Sequence, residues 1–325
     1  MTGFLLRRLA ASLLLLWLVL TAVFFLIHIA PGDPVDSLLE NSRIVSRWQR
    51  EVLIKALGLD LPLHKQYFLW LGKVVRGDWG TSYSQQRPVA TAIAEALPAT
   101  LLLTGAALLV EYAVALLLGI AAARRPGTAL DHAIRVVSLA FNSQPPFWLG
   151  LMAILLFAYV WPVMPSGQLH SVDAELMSPL GRLLDLARHL VLPGLVLGLF
   201  SAGSTVRFVR ASLLEVLHRD YVRTARAKGL SERRVLWVHA LRNALTPLIQ
   251  IFALTLPSLL SGSLVTETIF GLPGLGRLTF AAILGRDTPL ILGTTAFAGV
   301  VVVLANLLAD VLQALADPRV RDADA

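Results

Sequence analysis

The chain has 325 residues, of which 56% are hydrophobic and 15% charged, with a formal net charge of +7 and no cysteine. Soluble domains carry about one-quarter charged residues, so this composition excludes an ordinary water-soluble protein, and the missing cysteine excludes disulfides, thiolate metal sites and a cysteine nucleophile. The positive charge lies in loops beside long apolar runs, which points to anionic headgroups or a protein partner and away from nucleic acid.

A bilayer core about 30 Å thick needs about 20 apolar helical residues to cross it. The runs at 9–29, 100–123, 134–161, 190–208, 247–270 and 289–315 all approach or exceed that length, so an all-α polytopic protein with six membrane spans is expected. The first run follows Arg7 and Arg8. It is longer than the core of a cleaved signal, and His28-Ile29-Ala30-Pro31 is a poor cleavage site, so the run reads as a retained span or an uncleaved signal anchor.

The segment from Ala30 to Ala99 is long but patterned. Ile44, Val45, Trp48, Val52, Ala56 and Leu57 fall at helical spacing, as do Leu63, Tyr67, Phe68, Leu71, Val74 and Val75. Both runs predict amphipathic helices on the bundle or at the headgroup level. Turns at Pro31-Gly32-Asp33-Pro34 and Arg76-Gly77-Asp78-Trp79-Gly80 bracket them.

Short loops rich in arginine and lysine mark the cytoplasmic side. Arg7 and Arg8, then Arg124, Arg125 and Arg135, then the cations between Arg207 and Arg242 all agree on cytoplasmic termini. The expected organisation is therefore a first span with an outer segment (1–97), a five-span unit (98–316) with a cytoplasmic loop at 209–246, and a cytoplasmic tail (317–325).

Three groups of polar residues fall inside the spans. Glu111 is near the middle of the second, where a charge costs about 2.5 kcal/mol or more. It reads either as a contact for a cationic cargo group or, preferably, as a packing residue. Asn142, Ser143 and Gln144 precede Pro145-Pro146, which must interrupt the helical ladder. The break is either a kinked wall of a translocation path or a packing kink. Asn306 and Asp310 share a face of the last span, where an interhelical hydrogen bond is expected. His28, His64 and His170 show no metal-ligand spacing, so no metal site is assigned.

In the loop after the fourth span, Arg219, Arg223 and Arg226 share one helical stripe, and Leu217, Tyr221, Ala225 and Lys228 share another. Gly229 is placed to end the first helix in a left-handed conformation. Ser231 is placed to cap a second helix, with Glu232 in its first turn. Small residues surround the turn: Thr224, Ala225, Ala227 and Gly229. Such a knuckle suits a groove on a cytoplasmic partner; a basic helix held by anionic lipid is the alternative.

The wording of this loop resembles the cytoplasmic "EAA" loop of binding-protein-dependent ABC importer permeases, in the dipeptide, oligopeptide and nickel branch. The Glu-Ala-Ala opening of other branches is replaced by Arg223-Thr224-Ala225, Gly229 is kept, and proline is delayed to Pro247. Further segments are similar to the same branch in the same order. They are Pro31-Gly32-Asp33-Pro34, Gly77-Asp78-Trp79-Gly80-Thr81-Ser82-Tyr83, Leu97-Pro98-Ala99-Thr100, Pro146-Phe147-Trp148 and Pro165-Ser166-Gly167, followed by His189-Leu190-Val191-Leu192-Pro193, Glu267-Thr268-Ile269-Phe270, Pro273-Gly274-Leu275-Gly276 and Asp317-Pro318-Arg319-Val320-Arg321.

The resemblance implies a type I ABC importer permease fold and a non-catalytic subunit of a bacterial or archaeal cytoplasmic membrane. It implies pairing with a second permease, expected to be a different chain, with two ATPases that hold ATP and Mg, and with an extracytoplasmic solute-binding protein. Membrane lipid is the remaining partner. Tyr221, Thr224, Ala225, Ala227, Lys228, Gly229, Leu230 and Ser231 would form the coupling element, and Glu111, Asn142 and Gln144 are candidates for the translocation path. The chain has no G-x-x-x-x-G-K-[ST] phosphate loop, consistent with nucleotide held elsewhere. Short peptides are the expected cargo, with nickel and glutathione-like or opine-like solutes as alternatives. An intramembrane enzyme is disfavoured because no H-E-x-x-H, G-x-S-x-G or paired intramembrane acids occur. A channel is disfavoured because it needs no coupling loop.

Overall fold

The computed structural model describes residues 2–29, 47–56, 58–244, 248, 251–252, 255 and 264–316. All of its regular elements among these residues are helical. In chain order they are α1 (Thr2–Ile29), α2 (Arg47–Ala56), α3 (Leu63–Val75), α4 (Val89–Arg124), α5 (Ala129–Ser143), α6 (Pro146–Ile154), α7 (Pro179–Leu217), α8 (Asp220–Ala227), α9 (Glu232–Arg234), α10 (Leu241–Ala244), α11 (Leu264–Ile269), α12 (Leu275–Leu284) and α13 (Thr288–Ala316). Wider π-helical turns extend α6 over Leu155–Val160 and join α9 to α10 over Val235–Ala240.

Helices α1, α4, α7 and α13 are each long and apolar enough to cross a bilayer. The expected third span is not one rod. It is divided between α5 and α6, which meet at 97°. Pro145 and Pro146 lack the amide hydrogens that would continue the ladder, and Gln144 before them is pushed to extended backbone (φ −83°, ψ 143°). The expected fifth span, 247–270, lies outside the described residues except for α11, Phe270 and residues 248, 251, 252 and 255. The turn at Pro31–Pro34, Ile44, Val45 and Leu57 of the first amphipathic run, and the tail 317–325 also lie outside them.

The frame is the α4–α7 pair, the most extensive helix contact among the described residues. Leu103 and Ala107 of α4 meet Leu192, Val196 and Leu197 of α7, with Phe270 and Leu272 closing the cluster. One level along, Ala115 and Ala122 meet Val206 and Val209. Lipid tails are as apolar as leucine, so the gain here comes from close packing, and small residues at the seam allow the backbones to approach.

Helix α1 packs on α13, and Arg8 reaches Asp310 at 3.6 Å. Asp310 thus joins two helices through an ion pair where a hydrogen bond was expected, whereas Asn306 is exposed. Helix α3 docks on the other end of α1. Its inward face is Tyr67, Trp70 and Leu71, against Phe24 and Phe25, with the Tyr67 and Thr21 hydroxyls 2.8 Å apart. The predicted stripe was therefore rotated: Phe68 and Val75 are 67% and 80% exposed. Tyr67 and Leu71 of that stripe do face inward, and aromatic contacts from Phe24 and Phe25 add Trp70, which the stripe left out.

These contacts define two ends. The Gly229 loop, Arg124, Asp131 and Asp310 lie at one, here the knuckle end; residues 58–88, 161–178 and 271–287 lie at the other, the far end.

Candidate functional site

The loop at the knuckle end is a helix, a sharp turn and a second helix. Helix α8 runs to Ala227, and Gly229 then takes φ +75°, the left-handed region. Its N–H bonds the Arg226 carbonyl at 2.9 Å, and Lys228 N–H bonds the Thr224 carbonyl at 3.0 Å. The inside of the knuckle is apolar: Val222, Ala225 and Val235 are buried with Val216, Leu217 and Leu230. Its outside is exposed, with small side chains at Thr224, Ala227, Gly229 and Ser231 around Lys228. Tyr221 is 43% exposed, and its hydroxyl accepts a 2.9 Å bond from Asn243 beyond the turn.

The predicted coupling residues are thus brought together, but they divide. Ala225 and Leu230 face inward and hold the turn; the others face outward. One expectation fails. Ser231 occupies the N-cap position without accepting a backbone bond. It is exposed, where water competes for the hydroxyl, and Glu232 turns back to bind Arg226 at 2.8 and 3.3 Å. The predicted arginine stripe is largely spent on neighbours: Arg219 pairs with Glu215, Arg223 lies 3.7 Å from Asp220, and Arg226 takes Glu232. Exposed pairs of this kind contribute only about 0–1 kcal/mol each. Their effect is to reduce the net charge the stripe offers to lipid.

The knuckle is fastened to the bundle by a pair that the sequence did not announce. Asp131, fully buried at the start of α5, accepts Nε and Nη2 of Arg210 at 2.6 and 2.7 Å and the Gly127 N–H at 2.9 Å. A bidentate guanidinium–carboxylate contact is directional as well as strong. It fixes α7, the helix that leads into α8, against α5.

The candidate path residues do not form one site. Glu111 is 1% exposed in the α4–α7 seam, where the Thr205 hydroxyl donates to its Oε1 at 2.7 Å. That placement fits the packing role. Asn142, two residues before the helix break, faces α7 instead: its side-chain carbonyl accepts from Arg207 Nη2 at 3.2 Å. Gln144 sits half-buried at the break itself.

At the far end, several of the quoted motifs meet. Thr100 Oγ1 donates to Glu267 Oε1 and accepts from the Leu275 N–H, both at 2.8 Å, and the Arg277 N–H donates to Glu267 Oε2 at 2.9 Å. The Gln168 N–H donates to the Phe270 carbonyl at 2.7 Å. Ser171 donates to Asp185 through its N–H (3.0 Å) and hydroxyl (2.6 Å). Ser82 and Ser84 donate to Asp287 at 2.6–2.9 Å. Burial, with Asp287 beside it, pushes the Tyr83 phenol above its usual range. Glu267, Asp287 and Asp185 are all buried; Glu267 lies in one of the quoted segments, but Asp185 and Asp287 did not stand out in the sequence. Their partners are distant in the chain, so no local spacing reveals them.

The model of the family described as binding-protein-dependent transport system inner membrane component matches residues 115–322, and the model of the amino-terminal part of such components matches residues 1–104. The chain belongs to this family. Among its curated relatives is the di/tripeptide transport system permease protein DppB of Pseudomonas aeruginosa, 39% identical over 99% of each chain. The oligopeptide transport system permease protein AppB of Bacillus subtilis is 37% identical over 98% of this chain and 99% of its own. The dipeptide transport system permease protein DppB of Escherichia coli K12 is 36% identical over 99% of each. A solved chain of the MetNI methionine ABC transporter in inward-facing conformations aligns with 70% of this chain and 97% of its own. The TM-score is 0.53 at 18% sequence identity, a likeness of fold. As an inner membrane transport component of this family, the chain places its seam, its knuckle and its far-end contacts around a shared helical frame.

Proposed function

We propose that the chain is one permease subunit of an ATP-driven importer, contributing half of a translocation path for short peptides. The observation that carries the cargo is the end-to-end similarity to permeases of di/tripeptide, oligopeptide and dipeptide systems. The observation that supports the coupling role is the exposed, small-residue turn at Gly229, buttressed from within by Val222, Ala225 and Val235. In this reading the knuckle end and both termini are cytoplasmic. The outward faces of Tyr221, Thr224, Ala227, Lys228, Gly229 and Ser231 seat in a cleft of an ATPase subunit. ATP and Mg bind there, and this chain performs no catalysis. A second permease, a different chain, completes the path, and a solute-binding protein delivers cargo to the far end. A loop transmits work only if its contacts differ between the two states; closure of the ATPases would supply that difference.

Purification of the tagged chain from its own membrane in mild detergent, with mass spectrometry of everything retained, tests the assembly. A second permease and ATPases carrying phosphate loops are expected. An intact complex of this chain alone would overturn the reading. The co-purified binding protein, titrated with dipeptides and with nickel, then tests the cargo, and nickel without peptide binding would replace peptides.

A further inference from the structure

Arg207 is a half-buried cation near the knuckle end of α7, and its charge is held in an unusual way. No carboxylate among the described residues lies within ion-pair distance of it. Arg210, one turn further along, differs: it is neutralised by Asp131. Arg207 instead donates its Nε to the Gly203 carbonyl at 3.1 Å and an Nη2 proton to the Asn142 side-chain carbonyl at 3.2 Å. Both acceptors are neutral, so the positive charge is retained, and several guanidinium protons stay available.

The direction of the side chain matters. An arginine at the end of a span ordinarily snorkels outward to the headgroups. Arg207 folds the other way, back by one turn to Gly203, toward the middle of the span. There α5 and α7 are in close contact. A Cβ at Gly203 would collide with the Ser138 carbonyl and sit 2.8 Å from Asn142 Cβ, so only glycine fits. The guanidinium therefore lies beside the end of α5, next to the Ser143–Pro145 break.

Toward the knuckle end, α7 turns Ser204 outward and holds Ser201 and Arg207 half-buried, beside the exposed Phe208. A strip of two hydroxyls and a cation with an adjoining carboxamide is poorly matched to lipid tails and well matched to water and a passing solute.

We propose that Arg207, held over the helix break by Asn142 and Gly203, is an anion-recognising contact of the translocation path that takes the carboxylate of the solute. The proposal rests on the importer reading and adds a substrate chemistry to it. Any carboxylate-bearing solute would meet this charge, and the free carboxy terminus of a short peptide is the instance that the reading supplies.

The absence of cysteine allows a test at the site itself. In the intact purified complex, Ser204→Cys is treated with an anionic methanethiosulfonate (the ethylsulfonate) and with its cationic trimethylammonium counterpart. The anionic reagent is expected to react about tenfold faster relative to a free thiol control, as a local positive potential dictates. Arg207→Gln should abolish the preference. So should Asn142→Asp, which keeps both helices and the arginine but cancels its charge with an adjacent carboxylate. A thiol that reacts with neither reagent, or a preference that survives both changes, overturns the proposal. In proteoliposomes with tritiated alanyl-alanine, Arg207→Gln and Asn142→Asp are expected to lower uptake about tenfold, the loss of one charge-assisted contact, with Arg207→Lys restoring most of it. Undiminished uptake in Asn142→Asp also overturns the proposal. If the reagent preference appears but the unaltered complex does not carry the dipeptide, the anion contact stands and peptide cargo is what fails.

Discussion

Gly229 is held at φ +75° with nothing within 4 Å of the place a Cβ would occupy. Substitution there meets backbone strain and no steric wall. Strain of about 1–2 kcal/mol is expected for a β-branched residue, and much less for asparagine, which visits the left-handed region. Gly229→Asn should therefore keep ATP hydrolysis coupled to uptake, and Gly229→Val should uncouple them while the chain still inserts; equal behaviour of the two in proteoliposomes would show that the turn's conformation is not what the partner reads. Glu111 makes a different case. Its hydrogen-bond donor among the described residues, the Thr205 hydroxyl, serves a carboxamide oxygen as well as a carboxylate. Glu111→Gln should keep at least half of the uptake, and Thr205→Val, which strips a partner from a buried group, should cost about 1–3 kcal/mol in detergent unfolding. The glycine was legible in the sequence because its role is local: a left-handed residue among small ones. The partner of Glu111 was not, because 94 residues separate it from Thr205 and only the packing of α4 on α7 brings them together.

At the scale of elements, the hydrophobic runs located the long helices but not their ends. Helix α7 exceeds the expected 190–208 run at both ends and α4 begins before the expected Thr100, because polar and small residues beyond the apolar runs extend a helix that is already nucleated. The double proline announced an interruption, but not the 97° angle, which depends on what α6 packs against: Gly150 of α6 lies against Ile269 and Phe270. The contact of α5 with α7 at Asp131 and Arg210 was equally silent, as arginine in such a loop reads only as a marker of sidedness. Breaking it leaves a half-buried guanidinium without the carboxylate that neutralises it. Asp131→Asn should therefore destabilise by about 3 kcal/mol or more and lower the unfolding temperature of the purified complex. The same change combined with Arg210→Gln should recover part of the loss, and strict additivity of the two would show that the pair is not coupled.

For the whole molecule, the helical class, the membrane setting and the order of the family-like segments were legible from the sequence; the reason for the order was not. Segments separated by up to about two hundred residues meet at the far end through Glu267, Asp185 and Asp287, each satisfied by hydroxyls or backbone amides. A cysteine-free chain permits a direct check of sidedness. Val172→Cys, at a fully exposed far-end position, should react with an impermeant thiol reagent in intact cells, and Ala227→Cys on the knuckle should react only after the membrane is opened. The reverse pattern would invert the proposed orientation.

Helix α7 has one more property, and it is mechanical. Its 39 residues run without a break through Pro193 and span about 58 Å, nearly twice the thickness of the hydrocarbon layer. The knuckle begins three residues after its last turn, and the Asp185 contacts load its other end. Helix α4 grips it from Leu192 to Leu213, so the two helices form one lever. A stiff lever that turns about its middle is a see-saw. A rotation of about 10° would carry its two tips about 5 Å in opposite directions. A push on the knuckle that draws this tip toward the pore axis would swing the other tip away from it, so that one end narrows as the other widens without any residue changing its fold.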